Sequence, residues 1–320
     1  MSAAPAAKAP KVLTEQERAH AQELLKRARA AMDAIAGYDQ ASVDRLCRAI
    51  GWAGGNLTTA TRLANMSVDE SGMGGREPTR RAKVQGVLRD ALRQKSVGII
   101  EEIPEKGIVK YAKPAGVIAS LVPVTSPYVT PITTAIYAVK CANAVIFSPH
   151  PASRRTTAET IRVMRAALKQ AGAPEDLVQC AENPSIPLAN EIMRVCDLTV
   201  ATGGTLNLGG KTIANVVTLT GGTLTGGDLD IGQLNNASTG LVSATLSGSA
   251  GLTKNTTGSL RLDGLNTFTG DVTVSQGTLV AGHVSALGAG AVTVSGGTLD
   301  LDVTAGLANT VTLDRKSTRL

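Results

Sequence analysis

The side chains of this chain that are best suited to nucleophilic or metal chemistry are its cysteines and histidines. They are Cys47, Cys141, Cys180, Cys196, His20, His150 and His283. The cysteines lack the CxxC and CxxH spacings of zinc and redox motifs, and the histidines lie too far apart in the sequence to suggest one ligand cluster. The pattern predicts packed, reduced thiols and no metal site.

Two pairs of aspartates suggest either calcium binding or hydrolysis by paired carboxylates. The pairs are Asp228 with Asp230 and Asp300 with Asp302. The GGxGxD pattern of calcium-binding repeats is not present in the sequence. Solvated turn and strand positions are therefore the better interpretation of both pairs.

Small residues and prolines follow three apolar runs and could admit a dinucleotide. They form Pro123-Val-Thr-Ser-Pro127, Ser148-Pro-His-Pro151 and Ala201-Thr-Gly-Gly204. Ligands of parallel sheets bind at the carboxyl ends of strands, and a helix beginning after Gly204 would offer its amides to a phosphate. Equally, these residues could only turn the chain. A GxGxxG motif is absent, so spacing alone leaves both interpretations open.

The elements that would position these turns alternate between strand and helix. A capping box at Thr14-Glu-Gln-Glu17 begins a helix that runs to about Ile35, and Ser153 is a candidate cap for a later helix. The alternation predicts an α/β fold with a parallel sheet. The predicted strands are Gly116–Val122, Ala144–Phe147, Asp176–Gln179 and Leu198–Val200, and the other predicted helices are Asp39–Ile50, Pro78–Gln94, Tyr128–Ala142, 153–170 and Leu188–Val195.

The composition changes at residues 203–205. All 13 prolines and all 4 cysteines precede this point, and an eight-residue Val/Thr/Gly pattern follows it. Its clear copies are Val217–Leu224, Val272–Leu279 and Val292–Leu299, with a weaker relative at Gly258–Leu262. Short alternating strands with a twenty-residue spacing predict the coils of a stacked β-solenoid.

Five segments of the first part resemble the N-terminal part of CoA-acylating aldehyde dehydrogenases, in particular the sulfoacetaldehyde type. They are Asp69–Gly74, Gly107–Pro127, Ala144–Pro151, Ala173–Asp176 and Ala201–Gly204, and the resemblance covers about residues 15–204. It implies a Rossmann-like sheet, NAD(P) as cofactor, and an aldehyde and coenzyme A as substrates. In that family a cysteine thiolate attacks the aldehyde, hydride passes to NAD(P), and the acyl group is transferred to coenzyme A.

The resemblance also implies roles for residues at matching positions. The nicotinamide would lie beside Pro123, Val124 and Thr125, the adenosine ribose beside Ser148, Pro149 and His150, the adenine beside Pro174, and the pyrophosphate beside Gly203 and Gly204. For His150 we prefer a strand-end residue with an exposed ring over any role in proton transfer.

Two departures from the family pattern bear on catalysis. Ser126 stands where the family usually has an oxyanion-holding asparagine, and its hydroxyl would weaken that interaction without abolishing it. The family nucleophile lies tens of residues beyond the Ala-Thr-Gly-Gly turn, whereas no cysteine follows Cys196 in this chain. We therefore assign no catalytic residue.

The second part, about residues 203–313, resembles the autotransporter-associated β-strand repeat, most clearly at Gly258–Leu279. That family forms right-handed parallel β-helices on the bacterial surface, which implies an all-β fold and suggests an alternative function as a surface or adhesive protein. Asp314–Leu320 breaks the repeat and is expected to be foreign and disordered.

We therefore expect a disordered segment 1–14, a truncated NAD-binding domain 15–204, β-helix repeats 205–313 and a tail 314–320. The leading hypothesis is an inactive aldehyde dehydrogenase fragment in a chimeric reading frame, with weak or absent NAD(P) binding because the missing half should leave apolar sheet edges exposed.

The net charge of +6 is spread among acids along the helices and does not favour a nucleic-acid partner. Met1–Leu13 lacks the apolar core of a secretory signal, and no run is long enough to span a membrane, so we expect a cytoplasmic location. The sequence does not indicate an oligomeric state.

Overall fold

The fold is taken from a computed structural model, which describes residues 12–76, 80–201, 204–213, 216–304 and 306–314. The predicted disordered segment 1–14 and the tail 314–320 lie mostly outside these ranges. The α-helices of the described residues are α1 (Glu15–Ala34), α2 (Gln40–Gly55), α3 (Leu57–Ser71), α4 (Arg81–Leu92), α5 (Val129–Lys140), α6 (Arg154–Gln170) and α7 (Ile186–Val195).

A parallel sheet forms the centre of the first part, in agreement with the predicted α/β fold. Its strands are β3 (Val117–Val122), β4 (Ala144–Pro149), β5 (Val178–Cys180) and β6 (Leu198–Ala201), arranged in the order β6-β3-β4-β5. Every residue of β4 is buried, as expected for a continuous apolar strand covered on both faces. Helices α1 and α7 contact this sheet, as do α5 and α6.

The local signals in the sequence account for several element boundaries. The capping box at Thr14 forms as predicted, and Asp39 accepts a hydrogen bond from the Ser42 amide at the start of α2. The prediction of a strand from Asp176 is only partly right, because Glu175–Leu177 forms a 3-10 turn and the strand begins at Val178.

Two elements of the first part lay outside the sequence predictions. Helix α3 starts immediately after α2, and Asn56 caps the end of one and the beginning of the other. Strands β1 (Gly98–Ile103) and β2 (Ile108–Ala112) form an antiparallel hairpin whose turn ends at Gly107, where φ is +62°. A positive φ is inexpensive for glycine, which explains its position there.

The second part consists of short strands that pair in parallel. They are β7 (Gly204–Ile213), β8 (Val216–Asp230), β9 (Leu234–Val242), β10 (Thr245–Ser247), β11 (Leu252–Leu262), β12 (Val272–Ala281), β13 (Val292–Val294), β14 (Thr298–Leu301) and β15 (Val311–Leu313). Val272 pairs with Val292, and Leu252 pairs with Val272, so these neighbours are twenty residues apart along the chain. The third copy of the pattern is divided between β13 and β14.

The sheet continues across the predicted boundary between residues 204 and 205. Strand β8 pairs in parallel with β6, with Leu198 opposite Val216 and Ala201 opposite Leu219. Val217 and Leu219 are fully buried. The expectation of exposed apolar sheet edges is therefore wrong at β6, because a strand of the second part covers that edge.

Candidate functional site

The turns after β3 and β4 meet at the carboxyl edge of the parallel sheet. The two strands pair through Leu121 with Ser148 and Val122 with Pro149, and the His150 amide donates a hydrogen bond to the Val122 carbonyl at 3.1 Å. This register brings Pro123–Ser126 and Ser148–His150 together. These are the positions at which ligands of open α/β sheets bind.

Hydrogen bonds from three directions fix the loop that follows β3. The Ser126 amide donates to the Pro123 carbonyl at 3.2 Å, the Thr157 hydroxyl donates to the Pro127 carbonyl at 3.1 Å, and the Arg80 guanidinium donates to the Thr125 carbonyl. Thr125 is exposed, whereas Pro123, Val124 and Ser126 are half-buried. The loop therefore presents its side chains on a constrained backbone.

A small cavity of about 60 Å³ connects this loop with the Asp69–Gly74 segment. It is bounded by Met73 and Gly74 on one side and by Thr125 and Tyr128 on the other. Burial of Tyr128 raises the pKa of its phenol, so the hydroxyl stays protonated at neutral pH. Two segments that the resemblance singled out thus lie side by side, although they are about fifty residues apart in the sequence.

The end of β4 provides two buried residues, and an exposed imidazole follows them in the turn. Ser148 and Pro149 are buried, and His150 is exposed. The His150 Nδ1 atom accepts a hydrogen bond from the Ala152 amide at 3.1 Å. This bond orients the ring at the beginning of the 3-10 turn Pro151–Ser153.

Glu70 supplies the cap at the beginning of α6, although the sequence predicted Ser153 for that role. The Ser153 side chain makes no capping hydrogen bond. The Glu70 carboxylate instead accepts hydrogen bonds from the amides of Arg155 and Thr156, each at 2.7 Å. The Arg155 and Thr156 amides are donors that a helix leaves unpaired at its beginning, and the local sequence does not mark an acceptor 85 residues away.

At the predicted pyrophosphate site the backbone differs from what phosphate binding would need. Gly203 lies outside the described residues. Gly204 begins strand β7 and pairs with Gly222, so a strand stands where a helix would have been needed to bind a phosphate. The amides that such a helix would have offered to a phosphate now belong to a β-ladder.

Pro174 lies away from the other predicted binding residues. It precedes the 3-10 turn Glu175–Leu177 and therefore lies at the amino end of β5. Strand β5 is parallel to β4, with Val178 opposite Val145 and Cys180 opposite Phe147. Pro174 consequently lies toward the amino ends of the parallel strands, whereas Ser148 lies toward their carboxyl ends.

The environments of the cysteines do not favour a thiolate. Burial raises the pKa of the Cys47, Cys180 and Cys196 thiols to about 12, and it also raises the pKa of Cys141. Cys180 ends β5 near the carboxyl edge, but its desolvated and protonated thiol is a poor nucleophile. Desolvation outweighs nearby cations such as Lys140 beside Cys47 and Cys141 and Arg29 beside Cys196, so the pKa of each of these thiols is raised.

Two of the paired aspartates of the second part have hydrogen-bond partners, whereas Asp228 Oδ1 is buried and has none among the described residues, so a solvated position does not describe Asp228. Asp230 accepts a hydrogen bond from the Gly232 amide at 2.8 Å, and Asp302 accepts one from Arg261 at 2.6 Å. The described part of the chain contains no group of three or more histidine, cysteine, aspartate or glutamate side chains placed to hold a metal ion. Across the same residues, no helix combines the length and apolar character needed to cross a membrane.

Comparison with known proteins places the α/β part in a family. Residues 3–222 match the sequence profile described as the aldehyde dehydrogenase family. The chain belongs to the aldehyde dehydrogenase family. Its sulfoacetaldehyde dehydrogenase relative from Acholeplasma sp is 44% identical over 183 residues, which are 56% of this chain and 38% of that protein.

An acylating sulfoacetaldehyde dehydrogenase from Bilophila wadsworthia (strain 3_1_6) is 43% identical over 184 residues, which are 57% of this chain and 40% of that protein. The chain thus spans about 40% of the length of these curated relatives. The crystal structure of a probable aldehyde dehydrogenase from Listeria monocytogenes EGD-e superimposes with a TM-score of 0.56 at 29% identity, covering 59% of this chain and 42% of that one.

These comparisons confirm the resemblance of the N-terminal part to CoA-acylating aldehyde dehydrogenases. The resemblance of residues 203–313 to the autotransporter repeat stays a prediction. Among the residues that shape the site, Arg80 and Glu70 had no assigned role in the sequence interpretation. Both act through backbone groups distant in sequence, which spacing alone does not reveal.

Proposed function

We propose that this aldehyde dehydrogenase chain retains the nucleotide-facing turns of an acylating family member, binds NAD(P) weakly, and does not oxidise aldehydes. The observation that carries the proposal is the close approach of the β3 and β4 turns, tied by the bond from the His150 amide to the Val122 carbonyl. Both turns lie at the sheet edge where dinucleotides bind in such folds.

The proposed contacts divide into those that the geometry favours and those that it does not. Thr125 and its neighbours Pro123 and Val124 would face the nicotinamide, with Ser126 at the doubtful oxyanion position. Ser148, Pro149 and His150 would face the adenosine ribose. Contacts from Pro174 to the adenine have no support, because Pro174 lies toward the amino end of β5.

The pyrophosphate fits this chain poorly. Strand β7 begins at Gly204, where a phosphate-binding helix would be needed. The backbone amides of β7 pair with β8 and are not collected at a helix terminus. We therefore expect the dinucleotide to be held mainly through its nucleoside parts, which is the reason for weak binding.

We expect this chain not to oxidise an aldehyde or to transfer an acyl group to coenzyme A. The relatives named for aldehyde oxidation are more than twice as long as the matched segment. Burial keeps the thiols of Cys47, Cys180 and Cys196 protonated at neutral pH, so none of them offers a thiolate. An acyl-enzyme would require a thiolate at the carboxyl edge.

We further propose that residues 205–313 form a right-handed β-helix and that the reading frame joins two unrelated genes. The twenty-residue offset between paired strands supports the first point, and the change in composition at Gly203-Gly204-Thr205 supports the second. The alternative function as a surface or adhesive protein is not favoured, because the family match extends to residue 222.

Titration calorimetry with NAD⁺ and NADP⁺, together with absorbance measurements of reduced cofactor in the presence of sulfoacetaldehyde and coenzyme A, tests the proposal. We expect dissociation constants of about 1 mM or weaker, corresponding to about 4 kcal/mol, and no reduced cofactor. Tight saturable binding would contradict the poor fit of the pyrophosphate. Steady turnover would contradict the absence of a nucleophile.

A further inference from the structure

Glu70, at the end of α3, binds the first turn of α6 across a long sequence separation. One carboxylate oxygen accepts the Arg155 amide at 2.7 Å. The other accepts both the amide and the hydroxyl of Thr156, each at 2.7 Å. A single side chain therefore satisfies two of the backbone donors that a helix leaves unpaired at its beginning.

Helix α6 has no capping side chain of its own. Ser153 occupies the N-cap position, but its hydroxyl lies 3.5 Å from the His150 carbonyl and makes no capping bond to the helix. The helix is 17 residues long, so its first turn carries the partial positive charge of the helix dipole. A carboxylate is well suited to this position, and hydrogen bonds to charged acceptors are stronger than neutral ones.

The position of this contact determines what it holds in place. The turn between β4 and α6 is anchored on one side by β4, which pairs with β3 and β5. On its other side the turn is anchored by the first residues of α6, and these are bonded to Glu70. At its start the turn is also bonded to β3, because the His150 amide donates to the Val122 carbonyl at 3.1 Å. The bonds described beyond that point are short-range, from the Ala152 amide to His150 Nδ1 and from the Ser153 amide to the His150 carbonyl, so Glu70 supplies the long-range contact at the helix end of the turn.

We infer that Glu70 is a positioning residue for the β4–α6 turn, and that it thereby sets the affinity of Ser148–His150 for the adenosine half of a dinucleotide. The inference rests on the proposed function for its ligand. Glu70 itself binds protein amides and would not touch the nucleotide.

The test compares Glu70→Ala and Glu70→Gln with Asp69→Asn. Asp69 is the matched control, because it is the neighbouring carboxylate but is largely exposed and pairs with Arg76 at 2.6 Å. Glutamine should rescue only partly, since its amide has one acceptor oxygen while its NH₂ group would face a donor amide. Circular dichroism establishes that each variant is folded at the temperature used.

Hydrogen exchange of the Arg155 and Thr156 amides measures the contact directly and needs no ligand. We expect exchange to quicken at least about tenfold in Glu70→Ala, equivalent to about 1.4 kcal/mol, and to stay unchanged in Asp69→Asn. Unchanged exchange in Glu70→Ala would overturn the inference whatever the chain binds.

NMR chemical-shift titrations with adenosine 5′-monophosphate and with nicotinamide mononucleotide, which can follow such weak binding, then show whether Glu70→Ala affects only the adenosine side or both ligands. Glu70→Ala should weaken the adenosine ligand at least about tenfold and change the nicotinamide ligand less than about twofold. Equal weakening of both ligands would contradict a local role. An unmodified chain that binds neither nucleotide would refute the proposed function, and amide exchange alone would then decide the role of Glu70 in the turn.

Discussion

The pairing of β6 with β8 predicts that a substitution in the repeat part destabilises the enzyme-like part. Leu219 is the residue to change, because it is fully buried and lies opposite Ala201 in β6. Leu219→Ala removes three carbon atoms from a closed site and leaves a cavity. Substitutions of this kind lower the free energy of unfolding by about 3 kcal/mol, within a range of about 2–5 kcal/mol.

The distribution of cysteines provides a selective assay for this effect. All four cysteines lie in the first part, and Cys47 and Cys196 are buried there. Their labelling by a thiol reagent in increasing urea therefore reports the unfolding of the first part alone. With a urea m-value of about 2–3 kcal/mol/M, a loss of about 3 kcal/mol lowers the labelling midpoint by about 1–1.5 M.

Leu299→Ala is the matched control, because Leu299 is 1% exposed and lies in β14, far along the chain of paired strands from β6. We expect it to leave the labelling midpoint of the first part nearly unchanged while lowering the midpoint for loss of β-structure. A labelling midpoint unaffected by Leu219→Ala would refute the coupling through β6 and β8. Equal shifts from both substitutions would mean that the whole chain unfolds as one cooperative unit.

Three further predictions concern buried polar groups. Lys254 is 1% exposed, its ammonium donates to the carbonyl and hydroxyl of Thr256, and burial lowers the pKa of that ammonium. In urea titrations, the free energy of unfolding of Lys254→Met should therefore fall relative to that of the unmodified chain as the pH rises toward the unfolded lysine pKa near 10.4, because the folded chain sheds that proton first; a difference independent of pH would contradict the lowered pKa. The Asn266 side chain accepts a hydrogen bond from the Leu246 amide at 2.8 Å and donates one to the Ala286 carbonyl at 2.6 Å. Asn266→Ala should therefore lower the free energy of unfolding by about 2 kcal/mol in the same titrations, and a loss below about 0.5 kcal/mol would contradict this reasoning. Alkylation of Cys47, Cys180 and Cys196 in the folded chain should be slow at pH 8 and still rise above pH 10, whereas a plateau near pH 9 would contradict their pKa of about 12.

The parts of the fold that could be predicted from the sequence are those in which local chemistry and tertiary context agree. The continuous apolar run at Val117–Val122 became a buried strand, and the capping box at Thr14 began a helix. Helix α3 was missed because Asn56 ends one helix and begins the next, so no loop separates them. The β1–β2 hairpin was missed because its strands carry mixed charged and apolar residues with little alternation.

The position of the candidate site could be predicted from the sequence, but the side-chain contacts that hold its turns in place could not. The turns after β3 and β4 were identified because prolines and small residues follow apolar strands. The contacts that hold those turns come from Arg80 and Glu70, which act on backbone groups 45 and 85 residues away. Such contacts depend on how helices pack, and no short sequence pattern records them.

The junction was left open by the strand-end argument and was resolved by local sequence. A helix after Gly204 would have offered its amides to a phosphate, whereas the residues that follow, Thr205-Leu-Asn-Leu-Gly-Gly210, are poor helix formers with the alternation of a strand. The chain forms β7 there, in agreement with the strand repeats predicted from residue 205.

The same observation explains how a splice at Gly203-Gly204-Thr205 would be tolerated by the first part. An α/β sheet that ended at β6 would leave a row of unpaired backbone groups beside a buried apolar strand. Strand β8 pairs with β6 in the parallel orientation that the sheet already uses, and Val217 and Leu219 are buried there. A repeat made of short parallel strands can therefore replace a neighbouring parallel strand of the enzyme at its edge. It cannot replace a helix N-terminus, so the proposed chimera would keep its folded sheet and lose its phosphate site.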